Sequence, residues 1–291
     1  MVVDLFINGL SLGGIYALIA IGFTLILGVL RVFHFAHGEV YMMGAYLTFA
    51  FMSLAGNLPF PLLIVLSLLG GAVVGVVIER CLYAPLRQAS QTAPLICSIG
   101  LIFVLQNTAM LIWGPEMKAF AVDWDPGMLR LFGLEISLFK VMIVVTSLVL
   151  AMALQVFLTS TQFGRAIRAT AMDSDTALLM GIEIRNIHII TFVIGSALAG
   201  TAGFMVGLFY GAIYPVMGMM ALTKGYTASI IGGAGNVFGA FVGGIILAEL
   251  EMFTSAYLSA RYSDTLVLII LILMLLVRPS GLLGKREPEL L

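Results

Sequence analysis

The chain reads as a series of long apolar runs separated by short polar punctuation. Nine such runs lie near residues 7–30, 35–55, 60–79, 93–113, 138–158, 188–211, 217–233, 236–257 and 264–278. A helix needs about 20 apolar residues to cross roughly 30 Å of hydrocarbon, so these lengths predict membrane-spanning helices. The seventh run is short, contains Lys224 and leads into Gly232-Gly233-Ala234-Gly235-Asn236; it is either a short crossing or a re-entrant element. The pattern predicts an all-α fold: a polytopic transmembrane helical bundle of eight or nine membrane segments, one domain over residues 1–291. The prolines give an independent check. Pro59, Pro61, Pro85, Pro94, Pro115, Pro126, Pro215, Pro279 and Pro288 all fall between runs or at their ends, where a missing helix hydrogen bond does least harm.

Composition sharpens this. Of 291 residues, 61% are hydrophobic and 10% charged, against about 25% charged in soluble domains. So little charge cannot cover a water-facing surface, whereas a lipid-facing one needs none. The net charge of -1 says nothing about partners, but a nucleic-acid surface calls for a basic stripe, and the sequence has none. Cys81 and Cys97 fit neither a disulfide framework nor metal-ligand spacing. The start carries Asp4 in place of a basic region, so the first run is read as a spanning helix and not as a cleavable signal.

Lysines and arginines set the orientation. One side collects Arg31, Arg80, Arg87, Arg165, Arg168, Arg185, Arg278, Lys285 and Arg286. The other has Lys118, Arg130, Lys140, Lys224 and Arg261, two of them inside apolar runs. The richer side is read as cytoplasmic, which puts the N-terminus outside and the C-terminus in the cytoplasm and requires nine crossings. Residues 114–137 then form an outer loop, with Trp113 and Trp124 as interface-seeking aromatics, and residues 159–187 form the longest cytoplasmic loop.

No phosphate loop of the Gly-x4-Gly-Lys-Ser/Thr type and no His-Glu-x-x-His is present. In His34-Phe-Ala-His37-Gly-Glu39 the spacing puts both histidines on one helical face, but no third or fourth ligand is identifiable, and the sequence reads as a polar cytoplasmic approach to the second run rather than a metal site. Gly203, Gly207 and Gly211 are four apart, as are Gly235, Gly239 and Gly243, with Gly9/Gly13 and Gly71/Gly75 as further pairs. Such faces let membrane helices approach closely, and packing within the bundle is favoured over dimerisation. Polar side chains inside apolar runs are costly and face the protein interior or a wet cavity. Asn8, Ser11, Tyr16, His37, Glu39, Gln106, Asn107 and Lys224 are the candidates to line a path, with interhelical hydrogen bonding as the plainer alternative for each. Glu249 and Glu251 point to different faces, so at most one shares that cavity.

The cytoplasmic loop from Gly164 to Ile182 carries its own stop and start signals. Asp173 or Ser174 can cap a helix, Asp175 complements its dipole, and Gly181 suits the left-handed position that ends it. The result is a short helix with exposed apolar residues, either lying on the membrane or forming a docking knob for a soluble partner.

At this loop the sequence resembles the permeases of ABC importers, whose coupling loop reads Glu-Ala-Ala-x3-Gly. Here Asp175-Thr176-Ala177-x3-Gly181 fits with two conservative departures. Asn8-Gly-Leu-Ser-Leu-Gly-Gly-Ile-Tyr16, Phe35-Ala-His-Gly-Glu39, Gln106-Asn107, Gly164-Arg-Ala-Ile-Arg168-Ala and Arg278-Pro-Ser-Gly-Leu-Leu-Gly284 extend the resemblance to the branched-chain amino acid permeases of the LivH type over nearly the whole chain. It implies a subunit without catalytic residues, metal or cofactor. The implied partners are a second, similar permease, two cytoplasmic ATP-binding subunits and a periplasmic amino-acid-binding protein, in the bacterial cytoplasmic (inner) membrane. Arg165, Arg168, Asp175, Thr176, Ala177 and Gly181 would then couple to the ATPases. Related permeases handle urea, short amides and other amino acids. An ion-coupled transporter or a non-transporting scaffold are the rivals; the first normally places acids in mid-segment, where this chain has few.

Overall fold

The structure is a computed structural model that describes residues 2–284 apart from 57, 91, 123–126, 132–133 and 234. Trp124, Asp123, Asp125, Pro126, Lys285, Arg286 and Pro288 lie outside the described residues. Among the described residues, nine long helices overlap the nine apolar runs: α1 (Val2–Leu30), α2 (His37–Ala55), α3 (Phe60–Ile78), α4 (Ala93–Trp113), α5 (Leu138–Ser160), α8 (Ile184–Tyr210), α9 (Met217–Gly232), α10 (Val237–Thr254) and α11 (Ala260–Val277). Two shorter ones, α6 (Gln162–Met172) and α7 (Ser174–Leu179), lie between α5 and α8. The stretch expected to be a loop over 159–187 is therefore mostly helical. Its alternation of buried Gly164, Ile167 and Thr170 with exposed polar positions makes α6 amphipathic, a pattern hidden by the Gly and Thr content of the segment.

Six helical runs are long and apolar enough to cross a membrane, and the chain is a multi-pass membrane protein. The α2 and α9 helices are not among the six, and the last run is a 41-residue stretch from Val237 to Val277. That stretch is not one straight rod. It passes through a π-helical turn at Ser255–Ser259 and an extended Ser259 (φ -176°, ψ 146°). After α11 the chain comes back to where α10 began: the amides of Leu282 and Leu283 donate to the carbonyls of Ile231 and Gly232 at 2.8 and 3.1 Å. The two arms thus form a helical hairpin.

The core is built around α1 and α8, both buried along most of their length. The α1 helix packs on α10, α8, α9 and α5, and α8 packs on α2 and α3. Glycine permits these approaches. A Cβ on Gly200 of α8 would lie 2.9 Å from Gly71 Cα and 3.0 Å from Ser67 O of α3, while one on Gly44 of α2 would lie 2.6 Å from Gly200 O. The glycine triplets serve packing inside this bundle, but only in part. Gly203 and Gly207 meet Tyr41 and Phe120, and Gly239 and Gly243 meet α9. Gly211 and Gly235 meet nothing and have positive φ (69° and 85°), so they are chain terminators and not interface positions.

Among the described residues, the connection after α4 carries three short strands and the segment after α8 a fourth. β2 (Met128–Leu131) pairs antiparallel with β3 (Leu134–Ser137), with Met128 opposite Ser137. β1 (Lys118–Ala119) pairs antiparallel with β4 (Ala212–Ile213), just beyond the end of α8. Phe120 is buried against Phe204 and Phe49 at ring-centroid distances of 6.1 and 6.2 Å, which pins this loop to the bundle. Trp113 ends α4 and lies 5.0 Å from the Tyr46 ring.

Candidate functional site

The predicted path residues separate into groups. In the first, Gln106 of α4 donates to Glu39 Oε1 of α2 at 2.9 Å, and the Glu39 carboxyl presses on Gly218 at the start of α9. His37 sits beside Gly22 of α1, eight residues before that helix ends, so α2 begins about 12 Å inside the bundle at 1.5 Å per residue. The linker over residues 31–36 is not helical and folds back inward. This corrects two expectations. His34 and His37 do not share a helical face, because the helix starts only at His37. They are not a solvated approach either, because both are buried. Their rings are 6.0 Å apart, and His34 Nδ1 pairs with the Tyr83 hydroxyl at 2.8 Å. Both His37 ring nitrogens and Glu39 Oε2 have no hydrogen-bond partner among the described residues, which marks a polar interior whose hydrogen-bonding capacity is not spent within the bundle.

The second group lies toward the end of the bundle away from Arg31. Lys224 of α9 donates to Glu251 Oε1 of α10 at 2.6 Å, and Tyr16 of α1 donates to Glu251 Oε2 at 2.8 Å. Asp264 of α11 stands 3.5 Å from the same ammonium, which also lies 5.4 Å from the Tyr16 ring centroid. Four helices thus meet on one buried carboxylate. A buried charge is tolerable only when paired and hydrogen-bonded, and here both oxygens are. Neither Glu251 nor Asp264 stands among the path candidates read from the sequence. The signal for Glu251 was an acid in an apolar run, which demands a partner, but Lys224 and Tyr16 are distant in sequence. Glu249 does face elsewhere, against Gly9, with neither oxygen partnered among the described residues.

The remaining candidates are scattered. Asn8 has a buried Oδ1 without a hydrogen-bond partner among the described residues, near the start of α1. Ser11 bonds the carbonyl of Ile7 at 2.8 Å and faces Lys140 O at 3.4 Å. Asn107 is exposed and donates to Phe103 O of its own helix at 2.7 Å. At the opposite end of α3, Arg87 pairs with the buried Glu79 carboxylate.

On the end that holds Arg31, α6 and α7 form a self-capped unit. Thr161 accepts from Gly164 N at 3.0 Å to start α6. Asp173, not Ser174, starts α7: it accepts from the amides of Asp175 and Thr176 at 3.0 and 3.3 Å and from the Thr176 hydroxyl. These donors hold its carboxyl below the usual range, the Thr176 hydroxyl first. Gly181 follows with φ 83° and donates to Leu178 O at 3.0 Å. Only Ala177 of α7 is buried; Leu178, Leu179 and Met180 are exposed, as are Arg165 and Arg168 of α6. The Arg31 guanidinium, from the end of α1, donates to Met172 O at 2.8 Å and ties this unit to the central helix.

The family profile described as branched-chain amino acid transport system / permease component matches residues 5–275. The chain is 40% identical over 97% of its length, and 95% of the relative's, to the high-affinity branched-chain amino acid transport system permease protein LivH of Salmonella typhimurium. It is 38% identical to BraD of Pseudomonas aeruginosa, a permease protein of the same kind of system, over 97% of this chain and 96% of that one. It is 30% identical to a probable LivH of Methanocaldococcus jannaschii over 92% and 88%. Among solved structures, PsaBC from Streptococcus pneumoniae in complex with Fab shares the fold, with a TM-score of 0.50 at 12% identity over 95% of this chain and 91% of that one. On these matches, which run the length of the bundle just described, the chain belongs to the permease-component family of branched-chain amino acid transport systems.

Proposed function

We propose that this chain is the transmembrane permease subunit of an ATP-driven ABC importer that moves branched-chain, hydrophobic amino acids across the cytoplasmic membrane by alternating access. The observation that carries the reading is likeness over essentially the full chain to permeases named for that transport. In this reading the whole chain is one permease domain with nine crossings. The N-terminus is outside, and the arginine-rich end with α6 and α7 is in the cytoplasm. A second, similar permease completes the pathway, two ATP-binding subunits dock below, and a periplasmic binding protein delivers substrate. ATP hydrolysis takes place on the partner subunits.

Two features support the division of labour. The first is the exposed apolar tip of α7, Leu178, Leu179 and Met180. That surface suits a partner, and the α6–α7 unit that carries it is braced on α1 through the Arg31 contact with Met172 O at the end of α6. Arg165, Arg168, Asp175, Thr176, Ala177 and Gly181 are assigned to this coupling element. The second is the pair of interior polar groups. His37, Glu39 and Gln106 are assigned to the inner part of the path, and Tyr16 and Lys224 to its outer part, with Asn8 and Ser11 near the outer mouth. Asn107 is set aside because its amide is committed to its own helix.

The test is ATP-driven uptake of labelled leucine into vesicles that carry this chain with its partners. Uptake blocked by excess valine but not by urea is the expected result. Urea or another solute carried in place of leucine would move the substrate to amides or other amino acids within the same importer type. Uptake that stops with an ionophore while ATP remains would overturn the ATP-driven reading.

A further inference from the structure

The knot around Glu251 combines two properties: each charged group has an oppositely charged partner, and one side is open. The Glu251 side chain is 7% exposed, Lys224 13% and Asp264 53%, so the group opens outward past Asp264. Met220 precedes Lys224 by four residues and so shares its face of α9, Val216 caps the start of that helix four residues earlier, and both are exposed. An apolar patch thus adjoins a cation that is flanked by two carboxylates.

A buried pair of this kind resists opening, because removing either partner strands a charge in a low-dielectric interior. It can open only if each charge receives a replacement in the same event. We propose that the knot is a head-group site for a zwitterionic α-amino acid, which it takes by exchanging ion-pair partners. The ligand carboxylate takes Lys224, the ligand ammonium takes Glu251 and Asp264, and Val216 and Met220 receive the apolar side chain. Every charge keeps a partner throughout. Tyr16 holds Glu251 in place during the exchange through its hydrogen bond. Urea brings no charge and leaves the pair shut, and a ligand with a single charge strands one partner. This inference rests on the importer reading above and adds the class of substrate that the site admits.

The experiment uses the assembled permease–ATPase complex in nanodiscs without binding protein, with labelled leucine as the probe. The competitors are leucine, leucinamide (no carboxylate), 4-methylpentanoate (no ammonium) and urea. In the wild type, leucine is expected to displace the label at least tenfold more effectively than any of the others. Lys224→Met should shift the leucinamide-to-leucine ratio about tenfold toward leucinamide, and Glu251→Gln should shift the 4-methylpentanoate ratio the same way. Ratios within one variant do not depend on its yield. Asp264→Asn, at the exposed rim, provides a variant that does not disturb the core; it should weaken leucine severalfold and leave 4-methylpentanoate unchanged. Equal loss of all ligands in the variants, or a wild type that does not separate leucine from the single-charge analogues or binds no leucine, overturns the proposal. If ATP-driven leucine uptake persists under those results, the head-group site alone fails; if the wild type shows no such uptake, the branched-chain substrate reading fails with it.

Discussion

Replacing Gly200 by alanine tests whether α8 really lies against α2 and α3 at backbone contact. The added Cβ would stand 2.9 Å from Gly71 Cα and 3.0 Å from Ser67 O. Carbon atoms in good contact are about 3.5–4.0 Å apart, so α3 would have to retreat by roughly 0.5–1 Å, and the obstacle is backbone, which cannot rotate away. Overpacking of this kind costs about 1–3 kcal/mol. Against it stands the gain of alanine over glycine in a helix, about 0.8–1 kcal/mol. Gly100 of α4 supplies the control, because its added Cβ meets nothing within 4 Å. The propensity gain is common to both substitutions, so the difference between them isolates the clash. Gly200→Ala should be less stable than Gly100→Ala by about 1–3 kcal/mol, or roughly 2–12 °C in midpoint at about 2–4 °C per kcal/mol. Thermal unfolding of the purified chain in one detergent, followed by the loss of the monodisperse peak, is the assay. Equal midpoints for the two variants would refute the close α8–α3 approach, and with it the claim that glycine sets the spacing of the core.

Gly181→Arg should leave the chain inserted yet abolish co-purification of the ATP-binding subunits, since φ 83° costs an L-residue roughly 1–2 kcal/mol and the arginine would stand on the docking tip; recovery of those subunits at the wild-type level would count against the coupling assignment. Arg31→Ala should lower ATP-driven uptake severalfold with normal insertion, because the link from α1 to Met172 O is lost; unchanged uptake would show that α6 and α7 are braced some other way. The Asp173 carboxyl is held below its usual range by donors from α7. Its folded value is depressed, so the cap is present above the unfolded value near 3.9 and is lost as pH falls through the lower folded value. The protection factors of the α7 amides, measured against intrinsic exchange rates at each pH, should therefore be flat between pH 5 and 8, and Asp173→Ala should lower them at every pH in that window.

Much of the fold was legible because lipid imposes a simple rule. Each apolar run of sufficient length became a helix, and every described proline lies between helices or at a helix end. The α7 caps were legible for the same reason: Asp173 and Gly181 act on neighbours two to four residues away, so the signal is local. What could not be read is long-range. The partners of Glu251 lie on α1 and α9, and no periodicity joins residues 16, 224 and 251. His34 and His37 have helical spacing in sequence, yet the chain turns between them because α2 starts in mid-bundle, a consequence of packing against Gly22 and Gly218 rather than of local preference. The amphipathic α6 was hidden by a composition that suits a loop as well as a helix.

The return of the chain onto the end of α9 bears on how the molecule is made. The last carbonyls of a helix have no partner within it, and those of Ile231 and Gly232 find theirs in the amides of Leu282 and Leu283. Some fifty residues separate donor from acceptor, including the whole α10–α11 hairpin. During synthesis those carbonyls must be held by water or by the insertion machinery until the hairpin has crossed and residues 282–283 have left the ribosome. The middle of the bundle is therefore closed by its end, and a ribosome that stalls short of Leu282 releases an unfinished core to the quality-control proteases.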